Sequence, residues 1–261
     1  MLGTARSPED VRAALAATSP EDPRLRAGLL ARYLQLAVNG PKLDPTTTVR
    51  SEILVALRDA VLPADLELLE TAALTYEVGY TGELAGPLRA AAVVAMVAID
   101  PARASLHAVR LLTDGKSTNA MSGEPALSAA KVLADRGETL AIYGKALADG
   151  SGGEVLGECL RSLTALPAQL ALLLAEKHAE NRDEAVLLGL ADLVLGHSDP
   201  VVAATFLPGW LTGLASEDLF RYIATAAVAS RREDLRRLIV GVAAAEVRRE
   251  RRAILDEALA L

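Results

Sequence analysis

Apolar helix starts recur along this chain at intervals of about one helix pair, and no other feature restricts the fold as much. Val49-Arg50, Leu88-Arg89, Leu127-Ser128, Val155-Leu156 and Ala185-Val186 each open a similar apolar segment, spaced by 39, 39, 28 and 30 residues. Each is followed, after a short turn, by a second helix beginning near Pro63, Pro101, Glu138, Pro167 and Pro200. Paired helices repeating at such periods bury their apolar faces only against their neighbours. The pattern predicts an all-α chain, a right-handed α-solenoid of stacked antiparallel helix pairs, with roughly 12–14 helices and no sheet. It is read as one domain: an N-terminal cap over 1–22, repeats over 23–215 and Arg-rich capping helices over 216–261.

The stretch from Pro87 to Leu112 is the clearest pair. Pro87 and Pro101 sit at first helical positions, where the missing N–H costs nothing. Ala90 to Ile99 is apolar on every face, so that helix must be covered on all sides. The partner from Ala102 to Thr113 is amphipathic. Leu106, Val109 and Leu112 share one face, and Arg103, His107 and Arg110 share the other.

Helix punctuation is dense elsewhere. Ser7-Pro8 and Ser19-Pro20 read as capped starts, and so do Asp44-Pro45, Asp100-Pro101 and Asp199-Pro200. Ser151 with Glu154 and Ser230 with Glu233 fit the capping box. Pro208, well inside the segment that starts at Pro200, is expected to kink or restart that helix. From Arg231 to Leu261 the apolar phase shifts once. That fits either two helices breaking near Ala244 or one long helix with two partners.

The chain has 261 residues and a formal charge of −7, which argues against a basic nucleic-acid domain. The single Cys159 allows no internal disulfide. Its neighbours Val155, Leu156, Leu160 and Leu163 share its helical face, the pattern of a core thiol. The first ten residues lack the basic start and apolar run of a signal peptide, so none is expected, and no stretch has the length of a spanning helix. A cytoplasmic protein without membrane insertion is expected.

Asp44-Pro45-Thr46-Thr47-Thr48-Val49-Arg50, followed by Ala56-Leu57, resembles the HEAT-repeat family in its bacterial form. Leu88-Arg89-Ala90-Ala91 and Glu124-Pro125-Ala126-Leu127 are partial matches. The resemblance implies a HEAT-like solenoid in which Arg50 and Arg89 pair with turn aspartates, Asp44 and Asp100 being the available partners. It also implies several uses: a protein-binding scaffold, a glycosylase-like enzyme acting on alkylated DNA, or a bilin lyase-like enzyme.

Residues that could carry chemistry are sparse. His107, His178 and His197 are far apart, lack ligand spacing and read as ordinary solvated side chains. Gly115-Lys116-Ser117-Thr118 echoes a phosphate loop, but Arg110 stands where its first glycine belongs. No catalytic set, metal or cofactor is expected. Two segments break the period, Tyr76 to Glu83 and the polar link from Thr113 to Gly123. The first carries Tyr76 and Tyr80, the second Lys116.

The arginine-rich end is the strongest functional pointer. Residues 231–261 hold eight Arg against six acids, +2, which leaves −9 for residues 1–230. Such an end can be a solvated cap, a dock for an acidic protein or a phosphate contact. The candidate partner-contacting residues are therefore Tyr76, Tyr80, Lys116, Trp210, Arg231, Arg232, Arg236, Arg237, Arg248, Arg249, Arg251 and Arg252. The leading expectation is a non-catalytic scaffold for a protein partner or for self-association. A HEAT-like enzyme and a nucleic-acid-associated adaptor are the alternatives.

Overall fold

A computed structural model of the chain describes residues 9, 12–13, 22–80, 82–114, 118–119, 122–148, 150 and 152–261. The starts expected at Ser7-Pro8 and Ser19-Pro20, Ser151 of one expected capping box, and Lys116 lie outside them. The protein is all-α, with fourteen α-helices among the described residues. None of these helices is long and apolar enough to cross a membrane. The chain divides into two compact units, 1–141 and 142–261.

Unit 1 contains α1 (Pro23–Leu43), α2 (Thr48–Leu57), α3 (Leu66–Ala73), α4 (Gly86–Met96), α5 (Pro101–Thr113) and α6 (Ala126–Asp135). Helix α4 packs against α2, α3, α5 and α6, which accounts for its being apolar all round. Leu88, Ala92, Ala95 and Met96 are fully buried. Helix α2 begins at Thr48, after a turn that contains Pro45. The Asp44 carboxylate still caps it, accepting from the Val49 N–H at 3.1 Å and the Arg50 N–H at 3.0 Å.

Two expectations fail in unit 1. The Tyr76–Glu83 segment forms a minimal antiparallel ladder, β1 (Val78–Gly79) with β2 (Gly82–Glu83), where no sheet was expected. Gly82 turns it with φ 118°, a conformation side chains disfavour. Glu83 fastens the return strand by accepting from Arg89, from the Ala85 N–H at 2.8 Å and from the Glu77 N–H at 3.3 Å. On α5, Leu106 and Val109 are exposed, and the buried face is Ala104, Ser105, Ala108, Leu111 and Leu112. Of the expected stripe only Leu112 is buried; the small Ala104 and Ala108 let α6 approach α5 closely, which turns Leu106 and Val109 outward.

Helix α7 (Thr139–Leu147) carries the division between the units. Unit 2 continues with α8 (Gly153–Arg161), α9 (Ala168–His178), α10 (Glu184–Gly196), α11 (Pro200–Gly213), α12 (Glu217–Ala229), α13 (Glu233–Ala245) and α14 (Arg249–Leu259). Helices α8, α10, α12 and α14 pack successively in one row, and α9, α11 and α13 in another. The Arg-rich end is thus two helices, broken between Ala245 and Arg249. Asp199 caps α11 through the Val201 N–H at 3.0 Å, as its Asp-Pro signal implied.

Ser230 does not cap α13. The N-cap is Arg232, with Ser230 one turn outside the helix. Helix α11 also runs through Pro208 without restarting. Ala204, whose carbonyl loses its donor there, lies on the exposed side, where solvent serves it.

Candidate functional site

The end of a helix leaves carbonyls without partners, and basic or N–H-bearing side chains satisfy them well. Unit 2 uses this device repeatedly, most often from a residue 30 to 40 positions further along. Lys177 and His178 on α9 reach the Leu147 and Ala146 carbonyls that end α7. His197 Nε2 meets the Leu166 carbonyl at 2.8 Å, and Trp210 Nε1 donates to the Ala179 carbonyl at 3.2 Å. Arg232 donates to the Leu195 and His197 carbonyls at 2.9 and 2.7 Å.

The expected solvated histidines are corrected accordingly. His178 and His197 are buried and bonded to carbonyls, while His107 is partly covered and lies 3.8 Å from Glu70. Burial, helped by Arg110, holds the His107 pKa below its ordinary value against the pull of Glu70.

The same device accounts for most of the arginine cluster. Arg251 is buried, donates to the Leu211 and Leu214 carbonyls at the end of α11, and stacks 4.7 Å from the Phe220 ring. Arg236 donates to the Leu259 carbonyl at 2.9 Å, and Arg252 donates to the Ala243 carbonyl. Arg248 reaches the Thr212 carbonyl and pairs with Glu246, which holds that carboxyl below its usual range. Arg237 pairs with Glu233 one turn away, and Arg231 and Arg249 are exposed. Six of the eight arginines have donors committed to backbone oxygens or carboxylates, which leaves Arg231 and Arg249 as the exposed exceptions and little of the free fork geometry that phosphate contacts use.

Three clefts of unit 2 divide the remaining candidates. Trp210, only 8% exposed and 5.3 Å from the Phe206 ring, lines one with Asn181 and Ser216. Arg237 and Arg248 flank a second, and Arg231, Arg232 and Arg236 line a third with Leu261. The three share no lining residue, so these candidates do not form one site.

Cys159 lies in the core, where burial pushes its thiol pKa up to about 12. That is the opposite of an activated nucleophile.

Unit 1 concentrates its ionic groups in one place. Arg50 is buried and donates through Nε to Asp44 at 3.0 Å, and through Nη1 and Nη2 to Glu77 at 2.7 and 2.9 Å. Burial opposes the Arg50 charge, but the two carboxylates outweigh it and raise the pKa. Arg89 is fully buried and forks onto Glu83 with both contacts at 2.7 Å. Its partner is therefore Glu83 of β2, while Asp100 caps α5 through the Arg103 N–H. Burial pushes the Glu83 carboxyl upward, but Arg89 and the backbone amides prevail and lower it. Tyr76 lies over Arg89 at 4.2 Å and donates its hydroxyl to Asp114 at 2.9 Å. Tyr80 stands fully exposed at the ladder's turn.

Beside this cluster, α1 and α3 part to leave a cleft of about 530 Å³. Arg50 and Glu77 line it together with Tyr33, Asp65, Glu67, Thr71 and the apolar Leu30, Leu34 and Leu68. Arg26 of α1 pairs with Asp65 and donates to the Ala60 carbonyl at 2.9 Å. Tyr33 and Glu77 gave no signal in the sequence, since a lone Tyr in a helix and a lone Glu in a loop match ordinary core and solvated residues. Comparison with protein-family models, with curated proteins and with solved structures returns no match.

Proposed function

We propose that this chain is a HEAT-like α-solenoid of stacked antiparallel helix pairs acting as a non-catalytic scaffold for a protein partner or for self-association. The observation that carries the reading is the recurrent carbonyl cap. A side chain of one helix pair satisfies the helix end of the pair before it, at separations such as 31, 32, 37 and 40 residues. Stacking of this kind builds surface rather than an enclosed reaction chamber. Large apolar side chains stay exposed on that surface, among them Leu34 and Val38 on α1 and Val78 and Tyr80 at the ladder. Contiguous exposed apolar residues favour contact with other proteins.

The test is multi-angle light scattering on the purified chain, with affinity capture from a lysate of its native cells and scattering on the captured complex. A defined oligomer, or a complex of fixed stoichiometry weakened by joint Leu34→Glu and Val38→Glu, is expected. A monomer that captures nothing overturns the scaffold.

A further inference from the structure

The α1–α3 cleft of unit 1 presents acceptors and almost no free donors. Each of the three Arg50 nitrogens that lie against it is committed to Asp44 or Glu77. The Thr71 and Thr75 hydroxyls donate back to the Glu67 and Thr71 carbonyls at 2.8 Å, so each oxygen faces the cleft as an acceptor. Asp65, Glu67 and Glu77 add carboxylates. Counting the groups with their partners, Arg26 and Arg50 stand against Asp44, Asp65, Glu67 and Glu77, a net charge of −2. Glu67 is exposed and has no ion pair among the described residues.

Tyr33 supplies an independent observation. It is only 4% exposed, it lines the cleft, and among the described residues its hydroxyl has no hydrogen-bond partner. Its oxygen is not among the sealed polar atoms of the core, so the ring is buried while the hydroxyl opens on the cleft. Burial, with the Glu77 and Asp44 charges behind it, pushes Tyr33 up to about 12 despite Arg50, so the hydroxyl is neutral at physiological pH. Leu30, Leu34 and Leu68 add apolar lining, which strengthens the field of the carboxylates.

We infer that this cleft binds an organic cation, an ammonium or guanidinium group carried on an apolar stem. The stem lies along the leucines, and the N–H donors meet Glu67, Glu77, the threonine oxygens and the Tyr33 hydroxyl. The volume of about 530 Å³ is that of a small-ligand site. The inference is independent of the scaffold reading, because a chain that captures no partner still binds the cation.

The probes are 2-phenylethylamine and its neutral counterpart 2-phenylethanol, titrated into isotope-labelled full-length chain and followed by NMR. The amine is expected to bind about tenfold more tightly than the alcohol, and less tightly as salt is raised. Glu67→Gln and Tyr33→Phe are each expected to remove most of that preference with unchanged circular dichroism, since neither group has a protein partner to lose. Equal binding of amine and alcohol, no binding of the amine up to about 10 mM, or a preference that both variants leave intact overturns the site. A capped Leu-Arg-Leu peptide identifies the natural source: tighter binding than the amine points to a polypeptide side chain, weaker binding to a free amine. Either result keeps the cation site.

Discussion

Helices α8 and α10 approach so closely that one added methyl group decides their packing. A Cβ built on Gly189 lies 2.1 Å from the Gly157 carbonyl oxygen and 2.6 Å from its Cα. One built on Gly157 lies 2.3 Å from the Ala185 carbonyl oxygen. Ordinary contact begins near 3.4 Å, so a methyl group drives the two backbones apart by about 1 Å, and no side chain can turn aside to absorb it. Overpacking of this kind costs about 1–3 kcal/mol, while the gain in helix propensity from Gly to Ala returns about 1 kcal/mol. With backbone atoms at 2.1 and 2.6 Å the cost lies toward the upper end, so Gly189→Ala is expected to lose up to about 2 kcal/mol net. Gly241→Ala is the control, because a Cβ there meets nothing within 4 Å inside α13. It is expected to gain about 0.5–1 kcal/mol. Urea unfolding followed at 222 nm separates the two signs, the midpoints moving in opposite directions. The double variant Gly157→Ala with Gly189→Ala should cost less than the sum of the singles, because one separation of the helices relieves both clashes. A Gly189→Ala chain as stable as the parent refutes the close approach.

Arg251→Met leaves the Leu211 and Leu214 carbonyls without their donor and should cost about 2–3 kcal/mol in the same urea assay, against a small effect for the exposed Arg249→Met. Cys159, with its thiol raised to about 12, should resist Ellman's reagent in the native chain and react fully in guanidinium; rapid native labelling would contradict its burial. His107 is held below its ordinary pKa, so the unfolded chain binds its proton first. Stability should be complete above the unfolded value and fall as pH drops through the folded one, and His107→Gln should flatten that stretch of the profile. Glu83 is also depressed, so its contribution is present above the ordinary carboxylate range and is lost on acidification. Glu83→Gln should destabilise at neutral pH and match the parent once Glu83 is protonated.

Period and punctuation alone determine that the chain is helical, that α4 is covered by its neighbours, that Cys159 is core and that Asp44 stands at a helix start. These follow from forces that act within a turn or two: apolar spacing, a carboxylate before a first turn, a proline at its start. Only the tertiary structure decides where the long side chains end. Arg232, Arg251 and Trp210 look like surface contacts until the carbonyls 31 to 40 residues behind them come within reach. Glu83 displaced Asp100 as the partner of Arg89 because β2 lies beside the start of α4. The Gly157–Gly189 contact and the acceptor-lined cleft around Tyr33 belong to the same class. Each depends on groups distant in sequence meeting at hydrogen-bond or contact range. Such meetings are set by how the helices pack, which local preference along the chain does not encode.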